Sequence, residues 1–260
     1  MQINKDTKIC VSIASKPGNF GALVHNKCYE HFNLNYIYLP LTTSDFKATM
    51  KWFEITPSII GCSISMPWKK EAKRYVFNCD KFDNINTIRK TDDGKLLYGY
   101  STDLLAIEIM TKTLSKELLE EVCIIGSGAM MHNFKKVLRS KCYRFTILNK
   151  EQADKFEYKN KYNLVINATP VGMNNDYFEN PEIDKLLNNA KFIIDCPVSI
   201  NKDTQIIQQA KQNNQLYIDG IMLSLLQASK QFEIYTGIEQ YLVYPIMKKA
   251  IDDYRTQASS

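Results

Sequence analysis

Apolar runs bounded by turn residues recur along the chain and alternate with stretches of helical period, and this alternation predicts the fold. Residues 8–14 predict a strand, followed by a helix over about 21–32. Residues 36–41 read as a second strand, and Thr43-Ser44-Asp45 then caps a helix ending near Ile55. A third strand is expected over 58–65, and 86–100 reads as a hairpin turned by Asp92-Asp93-Gly94. The next helix is expected from Thr102 to about Leu118, with Leu105, Ile109 and Leu114 on or near one face. Strands at 122–125, 145–148, 164–168, 192–195 and 216–219 then alternate with helices, which predicts a parallel sheet covered on both faces. Residues 221–236 close the pattern as a helix ending at Gly237. The expected class is α/β, with a soft boundary near residue 104.

Composition narrows the picture. At 260 residues the chain suits one large domain or two small ones. The net charge of +5 comes from scattered lysines, which reads as a solvated surface and not as a nucleic-acid footprint. The N-terminal Met1-Gln2-Ile3-Asn4-Lys5-Asp6 is too polar for a signal peptide, and no apolar run approaches the roughly eighteen residues of a membrane span. The 7 cysteines are odd in number and lack paired spacing, which fits a reduced, cytoplasmic setting. His25, His31 and His132 show no metal-ligand spacing, so no metal is assigned.

Candidate chemistry begins where the third strand ends. There Ser65, Pro67 and Lys69 follow an apolar run, placing an ammonium at the carboxyl end of a predicted parallel strand, where open α/β sheets bind ligands. Ser101-Thr102-Asp103 supplies a carboxylate at a helix start. Read singly, Lys69 is an ordinary helix-start lysine and Asp103 a favourable first-turn acid. Together with Asn86 at a further element end, they can line one cleft. The carboxylate would orient the ammonium, which would exchange a proton with a substrate hydroxyl as hydride leaves its carbon.

A second candidate is the glycine turn Gly126-Ser127-Gly128 after strand 122–125, where backbone N–H groups can approach a pyrophosphate at the next helix's positive end. Two glycines after a strand also make ordinary turns. Met131 takes the third small position of the usual fingerprint and is expected to hinder close helix–strand packing. Asn149, Lys150 and Glu151 stand where a ribose-recognition residue belongs. No acid sits at the strand end itself, which argues against strict NAD selection. Lys150 can pair with a 2′-phosphate, which Glu151 would oppose; NADP is favoured and NAD stays open.

These dispersed motifs resemble, in order and over nearly the whole chain, the shikimate dehydrogenase family, and more closely its divergent shikimate-dehydrogenase-like subgroup. The segment Ser63 to Lys69 is similar to the family's Asn-Val-Thr-Val-Pro-Phe-Lys motif, which carries its catalytic lysine. Asn86 in Ile85-Asn86-Thr87 and Asp103 in Ser101-Thr102-Asp103 resemble its substrate-binding asparagine and catalytic aspartate. The run Asn167-Ala168-Thr169-Pro170-Val171-Gly172-Met173 matches its cofactor-bordering loop, and Asp219-Gly220 with Gln227 resembles its late glycine motif and substrate-contacting glutamine. The resemblance implies Lys69 and Asp103 as catalytic, and Asn19, Ser65, Asn86 and Gln227 as substrate-binding. For the cofactor it implies Gly126, Ser127, Gly128, Ala129, Asn149, Lys150, Thr169, Gly220 and Leu223. It implies an α/β substrate domain over 1–104, completed by C-terminal helices 221–260 that cross back, and a Rossmann-like NADP-binding domain over 105–220. The implied reaction is the NADPH-dependent interconversion of 3-dehydroshikimate and shikimate, or of a related cyclic hydroxy acid, by a cytoplasmic monomer or homodimer with no nucleic-acid or membrane partner.

Departures from the family pattern gather in recognition. Its two carboxylate-binding serines fall on Asn19 and Gly21, so shikimate is expected to be a poor substrate, and Asn19→Ser with Gly21→Ser is expected to raise activity on it. The tyrosine after the strand ending at Asp195 is missing from Asp195-Cys196-Pro197-Val198-Ser199, and only Lys150 answers the family's phosphate-binding arginine. A second function class is therefore a binding or regulatory protein of the same fold without useful turnover. Retention of Lys69 and Asp103 argues against it, since a pure binder needs no proton-transfer pair.

Overall fold

A computed structural model describes residues 3–174 and 176–259; Met1 and Gln2 of the polar N-terminus lie outside the described residues. It divides the chain into two units, one running up to Thr102 and resuming from Leu225, the other spanning Asp103–Ser224.

The first unit opens with β1 (Lys8–Ala14), α1 (Phe20–His31), β2 (Tyr36–Thr42), α2 (Phe46–Ile55) and β3 (Ile59–Ile64), then β4 (Thr87–Lys90) and β5 (Leu97–Tyr100). Its sheet has the order β2-β1-β3-β4-β5. β1 pairs in parallel with β2 and β3, with Val11 opposite Cys62 and Ser12 opposite Ser63. β3 is buried at every position, which is why it reads as an unbroken apolar run and not as an alternation. β4 and β5 add antiparallel, so this sheet is mixed. Because β2 and β3 flank β1, the chain leaves β1 and β3 in opposite directions, the arrangement at whose carboxyl ends open α/β sheets bind ligands. The two loops meet there: Ser65 N donates to Ile13 O at 2.9 Å and Ser15 N to Met66 O at 3.5 Å.

One buried charge fastens α2. Lys90, 3% exposed, donates from Nζ to Phe53 O at 2.6 Å, Thr56 O at 2.9 Å and Glu54 O at 3.3 Å. It thereby caps carbonyls that a helix end leaves without partners. The ammonium also lies 4.8 Å from the Phe53 ring centroid, and burial pulls its pKa down.

The second unit holds β6 (Glu121–Ile125), α5 (Ala129–Leu138), β7 (Arg144–Leu148), α6 (Lys150–Asp154), β8 (Leu164–Asn167), α7 (Pro181–Asn188), β9 (Phe192–Asp195), α8 (Gln205–Gln212) and β10 (Leu216–Ile218). All five strands are parallel, in the order β10-β9-β8-β6-β7. β6 lies between β7 and β8, so here the crevice opens at the carboxyl ends of β6 and β8. Cys123, Val165 and Ile193 pack with Ile183, Leu186 and Leu187 of α7 in the core of this unit.

Two expectations are corrected. The helix predicted over 102–118 is two: α3 (Thr102–Thr111) stops where the Thr111 and Thr113 hydroxyls bond back to Glu108 O and Met110 O, and α4 (Lys116–Glu120) restarts under Ser115. Ser115 Oγ accepts from Leu118 N at 3.3 Å as an N-cap. Met131, at the third small position of the usual fingerprint, is buried on α5. After α9 (Gly220–Thr236), which ends at Gly237 with φ +81°, comes α10 (Gln240–Ser259), so 221–236 is not the last helix as the apolar pattern predicts, while the C-terminal helices implied by the resemblance do extend beyond it. No helix among the described residues is long and apolar enough to cross a membrane, and none of their acidic, His or Cys groups clusters as a metal site.

Candidate active site

The first unit brings most of the expected substrate residues to the ends of β1 and β3. Asn19 is the exposed N-cap residue of α1 and makes no side-chain capping bond, and Gly21 follows in the first turn. Ser65 is exposed on the loop after β3, and Lys69 is half-buried further along it. Lys69 O accepts from Ile85 N at 3.1 Å, which ties the lysine loop to the residue before Asn86. Asn86, 1% exposed, accepts from Thr102 N at 2.7 Å and donates to Thr102 Oγ1 at 3.0 Å, which uses one of its two amide hydrogens. Asp103, the next residue, is buried in the first turn of α3 and belongs to the second unit. Gln227 is half-buried on α9.

Behind these residues lies a polar chain that the sequence reading missed. Tyr38 OH donates to Ser63 Oγ at 2.7 Å, and Ser63 Oγ in turn reaches Gln231 Oε1 at 3.1 Å and Tyr235 OH at 3.0 Å. Gln231 Nε2 donates to Thr87 Oγ1 at 3.0 Å, and Thr87 Oγ1 lies 3.1 Å from Thr102 Oγ1. The chain therefore runs from β2 through β3 and α9 to the partner of Asn86. Each member is buried, where an unpaired hydroxyl or amide would cost about 1–3 kcal/mol. One signal was available: Gln231 lies four residues after Gln227, on the same helical face. His25 stacks on Tyr38 with ring centroids 4.3 Å apart and planes 3° apart. Burial drives its imidazole down to about 3, partly opposed by the Gln231 side chain, so it is neutral near pH 7.

In the second unit the glycines sort by what they leave room for. Gly126 has φ +139°, and a Cβ on it would stand 2.9 Å from Ala168 O, so only glycine lets the loops after β6 and β8 meet. Gly128, the N-cap residue of α5, has nothing within 4 Å of its Cβ position. Beside it Ser127 is exposed and Ala129 half-buried. A Cβ on Gly220 would overlap Pro197 O, so the start of α9 lies against the loop after β9, and Leu223 is buried one turn on. The open space at Gly128, at the positive end of a ten-residue helix, suits a phosphate-bearing ligand.

The remaining candidates are partly committed to the protein. Asn149 forms a capping box with Gln152, accepting from Gln152 N at 2.9 Å, while Lys150 and Glu151 are exposed. Glu151 pairs with Lys155 at 2.8 Å, which draws its charge away from the strand end. Thr169 donates from Oγ1 to Asn167 Oδ1 at 2.6 Å and accepts from Val171 N at 3.1 Å. Asn167 Nδ2 donates to Asp195 Oδ1 at 2.7 Å, and Thr204 Oγ1 donates to Asp195 Oδ2. Burial nevertheless raises the Asp195 carboxyl to about 6, with the Asp219 charge adding to the shift.

No protein-family model matches the chain. The shikimate dehydrogenase-like protein of Haemophilus influenzae is 28% identical to it, over 90% of this chain and 92% of the relative. The NADP(+) shikimate dehydrogenase of Methanocaldococcus jannaschii is 25% identical, over 98% of this chain and 100% of the relative. The relatives are shikimate dehydrogenases and a shikimate dehydrogenase-like protein. Among solved structures, a shikimate 5-dehydrogenase-like protein superposes with a TM-score of 0.74 at 26% identity, covering 95% of this chain and 100% of its own. A shikimate dehydrogenase in complex with NADP+ superposes at 0.75, covering 97% of each chain; at 23% identity it speaks to the fold alone. The two-domain α/β architecture with a Rossmann-like half is thus that of the shikimate dehydrogenases.

Proposed function

We propose that this chain is an NADP-dependent oxidoreductase that interconverts a cyclic polyhydroxy acid, shikimate or a close relative, and its keto form. The unit up to Thr102 with the helices after Leu225 takes the substrate, and the unit from Asp103 to Ser224 takes the dinucleotide. The observation that carries the reading is the loop of Ser65 and Lys69 at the carboxyl ends of β1 and β3, tied through the Lys69 carbonyl to Ile85, the residue before Asn86.

Lys69 gives its ammonium proton to the carbonyl oxygen being reduced, or takes the proton of the hydroxyl being oxidised. Asp103, in the first turn of α3, is the second catalytic group of this reading. Ser65, Gln227 and the remaining amide hydrogen of Asn86 bind ring hydroxyls and so fix which carbon reacts. Gly126, Ser127, Gly128 and Ala129 hold the pyrophosphate, Asn149 and Lys150 the adenosine ribose and its phosphate, and Thr169, Gly220 and Leu223 the far end of the cofactor. When bound, NADP(H) supplies the site that accepts or donates hydride. The cytoplasm is the compartment this chemistry fits.

The test is an NADPH-linked assay over 3-dehydroshikimate, 3-dehydroquinate and related keto acids, with the reverse reaction over shikimate and quinate. Turnover of one of them that disappears in Lys69→Ala is expected. No turnover of any of them, with either NADP or NAD, would overturn the reading.

A further inference from the structure

Gly21 and the ring of Tyr38 compete for one space. A Cβ on Gly21 would stand 2.9 Å from Tyr38 Cε1, 3.1 Å from its hydroxyl oxygen and 3.3 Å from Cζ. The backbone of Gly21 lies outside the left-handed region, so the neighbour, and not the local conformation, demands glycine here. Tyr38 is poorly placed to yield. Its hydroxyl is 2.7 Å from Ser63 Oγ, its face is stacked on His25, and it is 2% exposed. Its backbone is held as well: Tyr38 N donates to Asn26 Oδ1 at 2.8 Å, and Asn26 Nδ2 donates to Tyr38 O at 3.0 Å.

We infer that Tyr38 is a specificity-determining residue that withdraws position 21 from ligand recognition, so that the ligand is selected by its ring hydroxyls and not by an anionic group. The ring fills the side-chain space of residue 21, and the phenolic proton is spent on Ser63. At this end of the crevice the ligand meets Asn19, a neutral donor, and bare backbone. The ligand class that follows is a polyhydroxylated ring whose carboxylate, where present, adds little affinity. This rests on the reading of the first unit as the substrate side. It also corrects the expectation that serines at 19 and 21 would by themselves improve shikimate turnover: Gly21→Ser has no room until residue 38 is smaller.

Calorimetry on the full chain with shikimate and with its neutral methyl ester tests the inference. The wild type is expected to bind the two within about threefold of each other. Gly21→Ser with Tyr38→Val is expected to prefer the acid by about tenfold or more, as a regained charge-assisted hydrogen bond requires. Tyr38→Val alone should show no such preference. Gly21→Ala, which adds only the Cβ, should melt below the wild type. A wild type that already prefers the acid tenfold, or a double variant that folds and gains no preference, overturns the inference. So does a Gly21→Ala variant with unchanged melting, which reports on the clash even where the double variant fails to fold. These readouts need no turnover, so absence of NADPH-linked activity would sink the proposed reaction without deciding the role of Tyr38.

Discussion

In each unit one strand lies between its two successors, so each has one crevice where the chain departs in opposite directions, yet glycine is used there in two ways. At Gly128 the space of the missing side chain is empty, and at Gly21 a neighbour's ring fills it. An empty space before a helix is what a phosphate needs, since backbone N–H groups must be approached closely. A filled one leaves an apolar wall and moves recognition onto the polar groups that remain. The same residue type thus leaves a space open in one unit and yields it to a neighbour in the other, and only the neighbouring side chain tells them apart.

Acid and base titrations separate the units most sharply. His25 in the first unit has its pKa lowered from 6.5 to about 3, so the unfolded chain takes up the proton first and stability is lost as pH falls from about 6.5 towards 3. At roughly 1.4 kcal/mol per unit this limb is on the order of 5 kcal/mol, and His25→Phe should flatten it in denaturant melts across that range. Asp195 in the second unit has the opposite sign: its pKa is raised from 3.8 to about 6, so the stability it contributes is full below about 3.8 and lost as pH rises through 6. Asp195→Asn should remove that limb and leave the acid limb alone. Identical pH profiles for the wild type and either variant would break the contrast.

Lys69→Ala should cut turnover by a hundredfold or more, about 2.7 kcal/mol of barrier, with NADP affinity little changed. A parallel loss of NADP affinity by calorimetry would mean that the two units do not divide the work as proposed. Gly126→Ala should destabilise the fold by roughly 1–3 kcal/mol, since it combines a strained φ with a clash against Ala168 O. Gly128→Ala should leave melting nearly unchanged while weakening NADP; an equal stability loss in both variants would remove the distinction between a structural and a ligand-facing glycine. The smallest effect is expected at Lys150→Ala, which should weaken NADP by about tenfold or less and spare NAD, as an exposed pairing with phosphate implies. Glu151→Thr should tighten NADP slightly; no change would show that Lys155 already neutralises that acid.

Strands and glycine turns were legible because they are local. Continuous apolar runs such as 122–125 announce buried parallel strands, and β1 falls at the bounds its pattern predicts, Lys8–Ala14. The break after α3 was harder, because no glycine or proline marks it and the Thr111 and Thr113 hydroxyls turn back on the backbone instead. α10 was implied by the resemblance and not by the apolar pattern, because Pro245 stands within it and reads as a breaker. The loops bearing Lys69 and Asn86 could be placed at strand ends from sequence. The role of Tyr38 could not: nothing near Gly21 in the chain reveals that a residue seventeen positions on occupies its space. The chain of bonds from Ser63 to Gln231 spans 168 positions, beyond the reach of any local pattern.

The three bonds from Lys90 to the end of α2 join residues separated by 34 to 37 positions. A peptide covering only 43–58 would therefore hold the helix and lack its fastener, and its last turn would fray in isolation. During folding, that turn cannot settle until the hairpin of β4 and β5 has delivered the lysine. The amides of the last turn of α2 should then exchange with solvent at the rate set by opening of β4, so that a surface helix reports on a strand two elements away.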